Sequence, residues 1–231
     1  MIDLTKKRQR KAYVTARAEQ PNPMFGYCRV VRCGKPARAG TGDGLDRVFC
    51  RSHADHYARH GSPYKASYTA KALLPHRQEA RRWLKVNRDA PQVQNAILRV
   101  HGLYQQAGPH VEAFRLRGLS PADRARAAWA RLRKADVDPL RVLEAWLSVA
   151  GAIAADPQPD NDPEFRRVQV AKLVHRLASG THKSWPQPNG RVEVLHAYPR
   201  SRGRVLRHLG EGIEAALSGM LENATTQSPP T

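Results

Sequence analysis

The sequence predicts a mainly helical protein with a small β component, and three observations carry that expectation. Three segments open with a capping side chain followed by proline: Ser120-Pro121, Asp138-Pro139 and Asp162-Pro163. Apolar residues recur at helical spacing through most of the chain beyond residue 90. All three cysteines of the 231-residue chain lie between Cys28 and Cys50, in a window whose glycines and short spacings suit a small β-containing unit.

Charge divides the chain. Lys and Arg total 39 against 20 Asp and Glu, a net charge of +19. Residues 1–134 hold 28 basic and 9 acidic side chains, whereas residues 135–231 hold 11 of each. A cationic surface of this size attracts polyanions, because neutralised phosphates release condensed counterions. No segment is apolar enough to span a bilayer, and MIDLTKKRQRK has no apolar run behind its charges, so neither a membrane span nor a secretion signal is expected. The expected compartment is therefore the cytoplasm, where neighbouring thiols bind metal more often than they form disulfides.

The elements follow in chain order. Residues 1–24 read as a basic, flexible arm, with Lys6, Lys7, Arg8, Arg10 and Lys11 as phosphate contacts. Residues 25–65 read as a metal-stapled finger. Cys28-x4-Cys33 and Cys50-x2-His53 are two short pairs, and two such pairs joined by a loop can surround a tetrahedral Zn²⁺. Cys33-Gly34-Lys35-Pro36 forms a tight turn, and Asp43-Gly44 forms a hairpin tip. Arg47-Val48-Phe49 continues as a short strand, and Cys50 to His60 is a helix that ends at Gly61. Cys50 and His53 share a helical face, which favours His53 over the rival ligands His56 and His60. The competing reading is three buried cysteines without a ligand.

Knuckle, hairpin and ligand-bearing helix make the layout of a treble-clef zinc finger. Together with the ending Arg59-His60-Gly61-Ser62-Pro63, the pattern Cys28-x4-Cys33-Gly-x-Pro and Cys50-x2-His53 resembles the zinc module of many phage and actinobacterial proteins, some of them HNH endonucleases. The resemblance covers residues 26–65 and implies one structural zinc ion and contact with DNA. It does not imply cleavage. Residues 34–49 contain no histidine, and no later histidine sits in a His-x-Asn-Gly context, so the base and metal ligands of an HNH site are missing from the pattern.

Residues 66–119 read as a basic helical segment. A helix over 76–89 after Pro75 aligns Arg77, Arg81, Lys85 and Arg88 on one face, either a stripe for a nucleic-acid backbone or an ordinary solvated face. Pro91 starts a second helix with Val93, Ala96, Ile97, Val100 and Tyr104 facing a core. Residues 120–223 read as a neutral helical domain with helices near 121–135, 139–155, 163–179 and 204–222. Asn189-Gly190 turns a β-hairpin within 182–198. Residues 139–198 resemble the order of a winged helix-turn-helix, a possible second DNA reader through Arg166, Arg167, Lys172 and Arg176. Residues 224–231 read as a disordered tail.

The function expected from these features is a non-enzymatic, double-stranded-DNA-binding zinc-finger protein of phage, plasmid or bacterial origin. The finger helix offers Arg51, His56, Tyr57 and Arg59 to bases, Arg51, Arg59 and Lys65 join the arm and the 77–88 stripe on phosphates, and residues 120–223 mediate self-association or hold a protein partner. A metal-dependent HNH-like endonuclease, and an RNA-binding or virion structural protein, are the alternatives.

Overall fold

A computed structural model describes residues 4–19, 26–37, 39–41, 44–201 and 203–224. The fold is mainly helical with a small β component, as the sequence predicts. It divides into two compact units, Met1–Ala66 and Ser67–Thr231.

In the first unit, α1 spans Leu4–Glu19, where the sequence suggested a flexible arm. The segment LTKKRQRKAYVTARAE has no Gly or Pro and is rich in straight-chain residues and Ala, which lose little freedom in a helix. Its side chains from Arg8 to Ala16 are all exposed, so propensity rather than burial specifies it. The hairpin β1 (Ala39–Thr41) and β2 (Gly44–Asp46) pairs Thr41 with Gly44, which places its two-residue connection at 42–43, outside the described residues. The strand expected at 47–49 does not form. Asp46 Oδ1 instead accepts from the amides of Val48 at 2.7 Å and Phe49 at 2.8 Å, and these Asx-type bonds take donors that a ladder needs. Helix α2 (Arg51–His60) follows, capped by Gly61 at φ 75°, whose amide donates to Tyr57 O.

The second unit is a helical bundle: α3 (Ala70–Val86), α4 (Pro91–Gln106), α5 (Pro121–Lys134), α6 (Pro139–Ala154), α7 (Pro163–His175) and α8 (Arg204–Ala224). Helix α8 packs on α4, α5 and α7, while α6 packs on α3, α4 and α7. The core between them holds Trp129, Leu132, Leu143, Trp146, Val174, Leu209, Ile213 and Leu217. The three cap-plus-proline starts are those expected. Ser120, Asp138 and Asp162 accept side-chain hydrogen bonds from the amides of Asp123, Leu140 and Glu164.

Two helix boundaries differ from the sequence reading. Helix α3 starts at Ala70, not after Pro75, because Thr69 caps it by accepting from Ala72 N at 3.1 Å. Pro75 lies one turn inside, where its missing N–H costs a single ladder bond, and buried Leu73, Ala80 and Leu84 carry the helix through. Helix α7 ends at His175, four residues early, in a tightened turn in which Arg176 and Leu177 donate to Leu173 and Val174 carbonyls. Gly180 beyond it serves as a close approach. A Cβ there would lie 2.1 Å from Ala197 O on the hairpin β3 (Thr181–Pro186) and β4 (Val192–Ala197). That hairpin turns through Gly190 at φ 77°. Of the expected tail at 224–231, Ala224 ends α8 and the rest lies outside the described residues.

Candidate metal centre

The knuckle begins where Tyr27 bridges Pro36. Cys28 N donates to Lys35 O at 2.8 Å and Cys33 N to Val30 O at 3.0 Å, folding the chain back between the first two cysteines. Arg32 and Gly34 take positive φ of 64° and 60°, which lets the loop close around the sulfurs. The knuckle is tied to the segment leading into α2 by Arg29 N donating to Val48 O at 3.0 Å. Cys50 is the N-cap of α2, and His53 stands one turn on.

These elements bring Cys28, Cys33, Cys50 and His53 together, with one ligand atom from each within 4.8 Å of the others. Cys33 Sγ lies 3.7 Å from Cys50 Sγ, and His53 Nδ1 lies 3.3 Å from Cys28 Sγ and 3.4 Å from Cys50 Sγ. A tetrahedral ion with ordinary Zn–S and Zn–N bonds needs S–S edges of roughly 3.8 Å and S–N edges of roughly 3.5 Å. The four side chains therefore fit a metal ion, and with four protein ligands the position is closed to substrate. Burial pushes the Cys50 thiol up. At Cys33 burial acts in the same direction but is outweighed by the Lys35 backbone amide, the neighbouring thiols and the Lys35 charge, and the net shift is downward. Ionisation is thus easier at Cys33 than in a free thiol.

The rival ligands have other work. His56 Nδ1 donates to Ser62 O at 2.8 Å, and its ring lies 4.3 Å from that of His60. Ser62 is fully buried, and its Oγ accepts from Lys65 N at 2.9 Å. The Arg-His-Gly-Ser-Pro ending is therefore a locked exit from α2. Tyr57 packs on Phe49 with ring centroids 5.5 Å apart. His56 and Tyr57, expected to reach bases, instead brace the finger.

The predicted nucleic-acid contacts separate into two groups. Arg51 pairs with Asp55 at 3.0 Å and donates to Gly40 O at 2.8 Å, which staples α2 to β1. Arg77 and Arg81 each reach buried Glu144 on α6 at 3.0 Å, joined by Arg141 at 3.4 Å. The stripe on α3 is thus shortened to Lys85, because its first two members close the α3–α6 contact and Arg88 lies in the turn past the helix end at Val86. Three of the four cations named for a recognition helix at α7 are engaged in the same way, and Arg176 past its end is exposed. Arg166 and Arg167 pair with Glu214 on α8 at 2.8 and 2.7 Å, Lys172 is buried with its Nζ on Ser67 Oγ, and the helix is packed on most sides.

Exposed cations remain elsewhere. Arg8, Arg10 and Lys11 on α1 and Arg59 on α2 are exposed, as expected. The side chains of Lys6 and Lys7 lie outside the description. Arg29, Arg32, Lys35 and Arg47, which the sequence reading passed over, are also exposed and ring the knuckle and its return. Their signal was local, four cations within twenty residues of Cys28, but the cysteine spacing drew attention from it.

No family model matches the chain, and neither a curated protein nor a solved structure matches it. No helix among the described residues is long and apolar enough to cross a membrane.

Proposed function

We propose that the first unit is a zinc-stapled, DNA-binding finger and that the protein acts by binding double-stranded DNA without cleaving it. The observation that carries the reading is the closed Cys28, Cys33, Cys50 and His53 cluster set among exposed Arg29, Arg32, Lys35, Arg47 and Arg59. Thiolate and imidazole donors in a tetrahedral arrangement suit Zn²⁺ among the divalent ions. Among its described residues this small unit buries few apolar side chains, chiefly Cys28, Ala37, Cys50 and Ala54. Structural zinc supplies apparent stabilisation of about 10–16 kcal/mol in comparable fingers.

The exposed arginines and lysines then act on phosphates, and α1 adds a cationic helix that can lie along the backbone. With four ligands bound, the metal keeps no open position for a water or a scissile phosphate, which favours binding over nuclease chemistry. The second unit supplies assembly or a partner surface.

The test is equilibrium binding of a labelled duplex across a salt series. Five neutralised phosphates give a log–log slope of about −4.5, steeper if α1 takes part. Arg29→Gln with Arg32→Gln should flatten the slope by about two. A flat salt dependence rejects the reading, and Mg²⁺-dependent nicking of plasmid by the zinc-loaded protein replaces it with the endonuclease.

A further inference from the structure

The second unit contains a cavity of about 450 Å³ whose lining is cationic. Arg117, Arg124 and Arg200 line it together with His175 and Tyr198. No carboxylate is among its lining residues. Arg117 comes from the loop before α5, Arg124 from α5, His175 from the end of α7, and Tyr198 and Arg200 from the segment after β4. Four separate stretches of chain thus converge on one space, three of them bringing a guanidinium.

Three features keep this space positive. Arg131 lies two turns beyond Arg124 on the same face of α5 and is buried without an acidic partner among the described residues. Its Nη2 donates to His175 O at 2.8 Å, while its Nε has no partner. That bond occupies a terminal carbonyl of α7, one of the groups that would otherwise offset the positive charge. Val205, in the first turn of α8, lines the same cavity and brings the positive end of that helix to its wall. The His175 ring registers the field. Its pKa is pushed down to about 4 by burial and then by Arg131 and Arg176, with no acid acting in the other direction.

Clustered cations without carboxylates repel one another, and the arrangement is relieved by an anion. Guanidinium forks suit phosphate oxygens, and a phosphomonoester brings close to two charges. The volume falls within the usual range of small-molecule sites, about 300–1,000 Å³, and exceeds what a bare phosphate fills. Tyr198 is 68% exposed, and its ring is held by an edge contact with His182 at 5.4 Å, so it offers a face on which a base can stack.

We infer that the cavity bounded by Arg117, Arg124, Arg200 and Tyr198 binds a mononucleotide-sized phosphomonoester, with the arginines on the phosphate and Tyr198 on the base. The ligand is either a free nucleotide or the phosphorylated end of a strand. The inference does not depend on the finger binding duplex DNA.

The test uses the zinc-loaded full chain, labelled with ¹⁵N, at physiological salt. Adenosine 5′-monophosphate is titrated first. Saturable shifts confined to residues around 113–124 and 198–205 are expected, with affinity above that of inorganic phosphate. Arg200→Gln, an exposed change that leaves the fold intact, should weaken binding about tenfold, as should Arg117→Gln. Arg88→Gln, far along the sequence and outside the cavity, should not. A short single strand with a 5′-phosphate, compared with the same strand lacking it, separates the two sources. The strand end is the ligand if the phosphorylated form binds more tightly than the free nucleotide, and the free nucleotide is the ligand if it binds more weakly. Shifts spread over the basic surface and unchanged in Arg200→Gln would reduce the effect to diffuse counterion binding and overturn the inference. Adenosine binding as tightly as its monophosphate, or citrate displacing the nucleotide more effectively than phosphate does, would overturn the phosphate class.

Discussion

Glu144→Gln measures what the basic stripe on α3 is for. The Glu144 carboxylate is 4% exposed and takes Arg77 Nε and Arg81 Nε at 3.0 Å each, with Arg141 Nε at 3.4 Å. Charge-assisted hydrogen bonds contribute roughly 1.5–3 kcal/mol each, and breaking a buried pair costs about 3–5 kcal/mol. Here the arginine side chains are 33–51% exposed and can be rehydrated, and glutamine keeps one acceptor. The expected loss is therefore about 2 kcal/mol. For a domain of this size that lowers Tm by about 4–8 °C. Burial pushes the Glu144 carboxyl up, but Arg81, Arg77 and Arg141 outweigh it, so its pKa is held below the ordinary value of 4.5. The folded state thus binds the proton less readily than the unfolded chain, and the stabilisation present above pH 4.5 is lost as pH falls through the carboxylate range. Urea melts of wild type and variant from pH 7 to pH 3 should show a gap at neutrality that closes in acid. A gap under about 0.5 kcal/mol at pH 7, or one that persists at pH 3, refutes the clamp. By the same logic Arg81→Gln should reduce stability while leaving duplex affinity within about twofold, because that guanidinium already serves Glu144.

Other outcomes follow from particular contacts. Chelation should abolish the structure of the first unit but leave the melting transition of the second in place, as read by circular dichroism and calorimetry, since the two are separate compact units. His56→Ala should retain stoichiometric metal yet destabilise the finger by about 1 kcal/mol, because it removes the bond to Ser62 O and not a ligand; metal analysis and thermal melts check both parts. Gly180→Ala should cost about 1–3 kcal/mol and raise amide exchange in β3 and β4, since the new methyl meets Ala197 O. His175 stays neutral in the fold down to about pH 4, whereas the unfolded chain protonates it near 6.5, so stability is lost as pH falls between those values, by roughly 3 kcal/mol in all. A His175→Asn chain should lack that segment of the pH profile.

The features legible in sequence were local ones. The caps at Ser120, Asp138 and Asp162 act within three residues, and the apolar stripes of α4 and α8 need only helical periodicity. The metal ligands were legible because each pair encloses the ion from neighbouring positions. What escaped depended on distance. Nothing near Arg77 announces that its partner is Glu144, 67 residues away, or near Arg166 that its partner is Glu214. Even local reading failed where a side chain competed with the backbone: Asp46 consumed the amides of the expected strand, and Thr69 capped a helix that Pro75 seemed to begin. Helix α1 was misjudged because its charge suggested an unstructured arm while its residue types favoured a helix.

The central claim is that one metal ion at Cys28, Cys33, Cys50 and His53 holds a finger that binds duplex DNA. Metal content and duplex affinity measured on the same samples of wild type, Cys33→Ser and His56→Ala test it most directly. The account predicts one zinc ion per chain in wild type and His56→Ala, none in Cys33→Ser, and at least about a tenfold loss of affinity in that variant alone. A wild-type chain purified without bound metal, or a metal-free Cys33→Ser that binds duplex as tightly as wild type, contradicts it.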